Sequence, residues 1–105
     1  MAAVFHPAAV DELEAAVEWY EARSPGVGRQ FYGQVVETLG RAAHFPKSGA
    51  AVEPGEGALA EVRLFPMQRF PFIVVAQLAA EGDAIVILAV AHTRREPDYW
   101  RERAG

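Results

Sequence analysis

Nine of the ten basic residues in this chain are arginines, and six of them fall within residues 61–105. These are Arg63, Arg69, Arg94, Arg95, Arg101 and Arg103, with Tyr99 and Trp100 set among the last four. A guanidinium is a planar fork that pairs bidentately with carboxylate or phosphate and stacks on aromatic rings. Such a set can bind an anionic partner. It can also stabilise charge building on phosphorus, provided a second group moves a proton. Arg63 is ambiguous by position: in Ala60-Glu-Val-Arg-Leu64 it shares a strand face with Glu61, so a structural ion pair at the sheet rim competes with a functional role.

Other chemistries find little support. His6, His44 and His92 are far apart and show no ligand spacing, so no metal and no cofactor is expected. The absence of cysteine removes disulfides, thiolate zinc sites and a thiol nucleophile together, and fits a reducing cytoplasm. Pro54-Gly55-Glu56-Gly57 lacks the Gly-Lys-Ser/Thr of a phosphate loop and carries acids that repel phosphate, so it reads as a connector. Ser24 and Ser48 are the only serines, and neither lies in a nucleophile elbow.

Charge points the same way. The net charge is −4, and all of that excess lies in residues 1–60, where four basic residues face eight acidic ones. Residues 61–105 balance at six against six. A protein that tracks a phosphate backbone carries a basic excess, so any nucleic-acid contact here would be local. The longest apolar run, Ala84 to Ala91, is far short of the roughly 20 residues a membrane helix needs. With no basic, apolar leader at Met1-Ala-Ala-Val-Phe-His-Pro, a soluble cytoplasmic protein is expected.

The elements that must position the arginines follow from periodicity. At 105 residues, with 51% hydrophobic and 23% charged side chains, the chain suits one domain, 1–105, with one core. A short strand runs from Ala3 to His6. A helix follows with Val10, Leu13, Val17 and Tyr20 on one face and Ala9 and Ala16 beside them. Asp11, Glu14, Glu18 and Glu21 form a neighbouring stripe, read as a solvated face or a partner surface. Trp19 lies away from the core stripe and reads either as packed on a neighbouring segment or as a partner contact.

Ser24-Pro25-Gly26 stops this helix, and a second one carries Phe31, Val35, Leu39 and Ala42, broadened by Tyr32, Val36 and Ala43. The short connection implies an antiparallel helical hairpin. Lys47 to Ala58 is a loop. Strands are expected over Leu59–Leu64, over Arg69–Leu78 with Pro71 near its start, and over Ala84–Ala91, with a turn at Glu81-Gly82-Asp83. Pro97 opens a short C-terminal helix or tail. The fold class is α+β, with two helices on one face of a twisted, mainly antiparallel sheet.

Three stretches together resemble a known family: Val62-Arg63-Leu64, Arg69-Phe-Pro-Phe-Ile-Val-Val75, and Ile87-Leu-Ala-Val-Ala-His92-Thr-Arg94-Arg95-Glu-Pro97-Asp-Tyr99-Trp100-Arg101-Glu-Arg103. His6-Pro-Ala-Ala-Val-Asp-Glu-Leu, Trp19-Tyr20-Glu21 and Pro25-Gly-Val-Gly28…Phe31 extend the likeness over almost the whole chain. The pattern is similar to the ParE branch of the RelE/ParE toxin superfamily, plasmid-stabilisation toxins whose fold matches the architecture above.

The resemblance implies the toxin of a bacterial type II toxin–antitoxin system, inhibiting DNA gyrase without catalysis and neutralised by a cognate antitoxin. On that basis Arg94, Arg95, Tyr99, Trp100, Arg101 and Arg103 are the expected target-binding residues, and Trp19, Glu14 and Glu18 the expected antitoxin-binding ones. The RelE branch implies an alternative, a ribosome-dependent endoribonuclease of mRNA using Arg63, Arg95 and Tyr99. Glu61 and Phe72 stand where that branch carries cations. A further alternative is an antitoxin-binding module of the same fold with weak toxicity. The exposed apolar helix surface implies a heteromeric or self-associated state.

Overall fold

The computed structural model describes residues 2–53, 61–79 and 84–105. The chain forms β1 (Ala2–Phe5), α1 (Pro7–Arg23), α2 (Val27–His44), β2 (Ala50–Ala51), β3 (Glu61–Pro66), β4 (Phe72–Leu78) and β5 (Ala84–His92). Single 3-10 turns occupy Pro46–Ser48 and Arg101–Arg103. The connector at 54–57, the start of the strand expected over Leu59–Leu64 and the expected turn at 81–83 lie outside the described residues.

Local chemistry accounts for the helix ends. His6 caps α1: its Nδ1 accepts from the amide of Ala8 at 3.1 Å, and Pro7 occupies the first helical position, where no donor is needed. At the other end Gly26 takes φ +90, a conformation that suits glycine. Glu21 then turns its carboxylate onto the amides of Gly26 at 2.9 Å and Gly28 at 3.1 Å, satisfying orphan donors at the start of α2. Glu21 therefore serves the turn rather than the solvated stripe. A Cβ at Gly28 would lie 2.7 Å from the carbonyl oxygen of Val17, so the two helices approach there only because glycine is present.

The sheet order is β1-β5-β4-β3-β2. β3, β4 and β5 pair antiparallel, as short connections require, and β2 joins the edge of β3. β1 lies parallel to β5, with Ala2 opposite Ala84 and Phe5 opposite Ile87. That pairing is possible because the helical hairpin and three strands intervene between them.

Both faces of the sheet are covered. Phe31, Val35 and Ala42 of α2 and Ala9 and Ala16 of α1 pack with Val74, Ala76, Ile85, Ile87 and Val90 on one side. Tyr20, Phe31, Phe70 and Phe72 form its aromatic centre, with ring centroids 4.9–5.3 Å apart for Phe31 against the other three. On the other side Val75, Leu88, Ala89 and Ala91 pack with Trp100 from the C-terminal segment.

Three expectations change. Tyr32 and Val36 do not broaden the buried face of α2 but stand about half exposed, because the sheet is met by the narrower line Phe31, Val35, Thr38 and Ala42. Val10, Leu13, Val17 and Tyr20 are only half-buried, whereas Ala9 and Ala16 are buried: α1 approaches through its smallest side chains. Finally, β4 begins at Phe72 rather than Arg69. Pro71 has no donor for a ladder, and the amide of Phe72 bonds back to the carbonyl of Phe70 at 2.8 Å. The turn this creates holds Arg69 at φ +71, a left-handed conformation that costs a non-glycine residue on the order of 1 kcal/mol.

Candidate functional site

The site is organised by an irregularity in β5. Val75 opposes Ala89 while Ala76 opposes Ile87, so Leu88 is an extra residue, a β-bulge. Its effect is visible in the packing. Ile85 and Ile87 face the helices, Leu88 and Ala89 both face away, and Val90 faces the helices again. β1 pairs with β5 only as far as Ile87, so beyond the bulge the β1-side edge of β5 has no neighbouring strand. An uncovered edge leaves donors and acceptors to be satisfied by other means.

Side chains satisfy them. Glu12, projecting from α1, accepts the amide of Val90 on Oε1 at 3.0 Å. Arg103 donates to the carbonyl of Leu88 at 2.9 Å and to Glu12 Oε2 at 3.0 Å. Tyr99 donates its hydroxyl proton to the same Oε2 at 2.8 Å, and Arg95 reaches it at 3.3 Å. The Glu12 and Arg103 side chains are only 13% and 14% exposed, so this pair is far better shielded than a surface ion pair. The Tyr99 ring lies under both cations, 3.8 Å from the Arg95 guanidinium and 5.1 Å from that of Arg103. Burial, then the hydrogen bond and charge of Glu12, push the Tyr99 phenol up to about 12. The same carboxylate raises Arg103 above its ordinary value, chiefly through the hydrogen bond.

Glu12 was not among the residues singled out from sequence. The signal lay in its spacing: Ala9, Glu12 and Ala16 fall on one helical line, and that line of small residues is the one that meets the sheet. A carboxylate there has to find donors.

The other expected target residues divide. Trp100 is 5% exposed and packs into the second core, so its indole is a support beneath the surface and not a contact on it. Arg101 is held by the carbonyl of Glu53 at 3.2 Å and by Asp98 at 3.4 Å. The side chain of Arg94 is exposed and has no partner among the described residues; its backbone amide bonds His92 Nδ1 at 3.0 Å, which fixes the turn. The chain ends against Gln77, whose amide side chain makes a reciprocal pair with the backbone of Gly105 at 2.7 and 3.2 Å.

Arg63 sits apart from this constellation. It pairs with Glu61 and donates to the carbonyls of Lys47 at 3.0 Å and Gly49 at 2.9 Å, fastening the chain before β2 to β3. The Arg63 hydrogen bond in turn holds the Glu61 carboxyl below its usual range. Arg95 and Tyr99 therefore meet at Glu12, while among the described residues Arg63 shares no hydrogen bond or ion pair with either, and Phe72 is part of the aromatic core.

An open cleft of about 440 Å3 lies between α1 and the ends of β4 and β5. Ala15, Ala16, Tyr20, Phe72 and Val90 give it apolar walls, and Glu12, His92, Arg95 and Trp19 border it. Trp19 is half exposed, set edge-on to Tyr20 at 5.0 Å with the Arg23 guanidinium 3.6 Å over its ring. Glu14 and Glu18 are exposed on the same helix. Among the described residues no cluster of His, Cys, Asp or Glu could hold a metal, and no helix is long and apolar enough to cross a membrane.

Residues 3–97 match a family described as the ParE toxin of type II toxin–antitoxin systems, parDE. Five solved chains match as well. One, a chromosomal ParDE TA system from P. aeruginosa, superposes with a TM-score of 0.71 at 20% identity, covering 90% of this chain and 97% of that one. No curated protein gives a significant match.

Proposed function

This chain belongs to the ParE toxin family of type II toxin–antitoxin systems, and on that premise we propose that it acts by binding DNA gyrase, without chemistry of its own, until a cognate antitoxin covers it. The carrying observation is the engagement of the residues a ribonuclease would need. Arg63 is committed to Glu61 and two backbone carbonyls, on a strand away from Arg95. Tyr99 donates its hydroxyl hydrogen bond to Glu12, and with its phenol near 12 it is poorly matched to proton transfer at neutral pH. Arg95 and Arg103 share the Glu12 carboxylate, which offsets one of their two charges and holds both against α1.

The same contacts support a binding role. Tyr99, Arg95 and Arg103 are held in one conformation against α1, and a pre-ordered surface loses less entropy when it meets a partner. Target binding is assigned to Arg94, Arg95, Tyr99, Arg101 and Arg103, with Trp100 supporting them from beneath. The antitoxin is assigned to α1, where Trp19, Glu14 and Glu18 offer an exposed indole beside two carboxylates. A segment with apolar and basic side chains would match that surface. The protein then acts in the compartment that holds gyrase, the cytoplasm.

The test is tightly controlled induction of the chain in bacteria carrying a DNA-damage-response reporter, with growth followed in parallel. Arrest with a rising reporter, both abolished by the co-expressed antitoxin, is the expected result. Arrest with a flat reporter and new messenger 5′ ends would replace this reading with the ribonuclease. Unimpeded growth at high expression would leave only an antitoxin-binding module.

A further inference from the structure

Of the nine arginines, six have a side-chain partner in the fold, while Arg29, Arg69 and Arg94 have none among the described residues. Arg29 lies on the first turn of α2. The other two are brought to the same end of the sheet. Phe72, at the start of β4, pairs with His92, at the end of β5, and the amide of Thr93 bonds the carbonyl of Pro71 at 2.8 Å. Arg69 is two residues before that tie and Arg94 one residue after it, and both are exposed. Among the described residues neither guanidinium has a carboxylate partner, and an anion from outside the chain would supply one.

The backbone sharpens the point. Arg69 occupies φ +71, where glycine would sit without strain, so the fold gains nothing by having a long cationic side chain there. A strained residue whose side chain has no hydrogen bond or ion pair among the described residues is a reason to look for an external partner. Beside the two turns opens the cleft walled by Phe72, Tyr20 and Val90, with His92 and Arg95 at its border. Arg95 belongs to the turn that also carries Arg94.

We propose that Arg69 and Arg94, on their tied turns, seat an acidic segment of the protein partner, with a carboxylate across the two guanidinium groups and a neighbouring apolar side chain in the adjoining cleft. This deepens the target-binding reading above and rests on it for the partner's identity. A protein carboxylate fits better than a nucleic-acid backbone. The chain carries a net charge of −4, and exposed Glu18 and Glu96 are close in sequence to Trp19 and Arg95, so a continuous phosphate track would meet repulsion. A short acidic motif with one apolar anchor needs only a local pair of cations, and guanidinium forks suit carboxylates.

The experiment uses the isotope-labelled full chain, titrated with a short synthetic peptide carrying two glutamates and one leucine in an otherwise neutral sequence. Amide shifts are expected to centre on Arg69, Arg94 and the cleft, and to fade at high salt. Affinity is expected to fall about tenfold in Arg69→Gly and again in Arg94→Ala, the loss of one charge-assisted contact each, and to stay unchanged in Arg29→Ala. Arg69→Gly keeps the turn, since its backbone suits glycine, and an unaltered amide spectrum verifies that. Undiminished binding in both variants overturns the proposal. So does tighter binding at these turns of a single-stranded oligonucleotide of equal charge.

The gyrase reading is read out separately by the damage reporter. A reporter that rises equally with wild type and the double variant sinks the seat and leaves gyrase standing. A flat reporter, with peptide binding intact and sensitive to both substitutions, upholds the seat and removes gyrase as its occupant.

Discussion

The two faces of the sheet are closed by different physics. On one, α1 and α2 bury an aromatic and aliphatic core whose members recur at helical spacing along the chain. On the other, the C-terminal segment is fastened by one indole, one glutamine and a carboxylate on α1 that reaches residues 78 to 91 positions away. Apolar burial is spread over many side chains and tolerates small errors. A polar hub concentrates its stabilisation in one atom group, and its loss strands every donor that relied on it. The helix-covered face is therefore built to persist. The tail-covered face is built to hold a particular conformation, and its C-terminal segment carries most of the candidate target-binding residues, whereas Trp19, Glu14 and Glu18 stand on α1.

Substitutions can break that contrast at either end. The largest effect is expected for Phe31→Ala, which removes the ring at the centre of the aromatic cluster. It should cost about 3–5 kcal/mol in chemical denaturation and loosen the entire molecule. A loss below about 1 kcal/mol would mean the helix-covered core does not dominate stability.

Next comes Glu12→Ala, which leaves the Val90 amide, the Tyr99 hydroxyl and the Arg103 guanidinium without their shared acceptor. The expected loss is about 3 kcal/mol, and hydrogen exchange should accelerate across residues 90–105 well before it does in α2. Uniform acceleration in both regions would show that the two faces do not open separately.

A pH experiment probes the hub with smaller perturbation. The folded Tyr99 phenol lies near 12, above the ordinary tyrosine value of about 10, so the folded state holds this proton more tightly than the unfolded one. Its contribution to stability is complete below about pH 10 and is lost as pH rises towards 12. Phenolate absorbance should show Tyr99 titrating late; burial raises Tyr20 as well, so the Tyr99→Phe variant assigns the transition. In Glu12→Gln that group should titrate earlier, because the carboxylate charge is gone while burial remains. An unmoved midpoint would assign the whole shift to burial.

The smallest effect on stability is expected for Trp19→Ala, since the indole is 50% exposed and outside both cores. A change within about 0.5 kcal/mol is anticipated, alongside a marked loss of antitoxin affinity in a pull-down with the cognate partner. A large loss of stability instead would make Trp19 a structural residue.

The helical hairpin and the three strands that follow it along the chain were legible because amphipathic periodicity is a local signal, whereas the parallel seat of β1 beside β5 and the short β2 inside the expected loop were not. Phe31, Val35 and Ala42 announce a buried face without reference to anything else in the chain. The uninterrupted apolar run in β5 likewise announced cover on both faces, though not that Trp100 supplies the second. Arginines were legible as a class and not as individuals. Composition says nothing about which guanidinium groups are already engaged, and Arg63, Arg101 and Arg103 proved to be tied to carboxylates and backbone carbonyls, whereas Arg69 and Arg94 have no side-chain partner among the described residues.

Two long-range events decided the rest. The bulge at Leu88 reset which side chains of β5 face the helices, and the end of β1 at Phe5 left the next stretch of edge uncovered. Neither leaves a mark at the position where it is answered, in a glutamate of α1 and an arginine of the last turn. Secondary structure and the apolar faces were determined by the sequence through interactions a few residues in span. The hub, and the division of arginines into held and free, belong to the tertiary structure alone, because a hydrogen bond depends on which donors folding brings within about 3 Å of an acceptor.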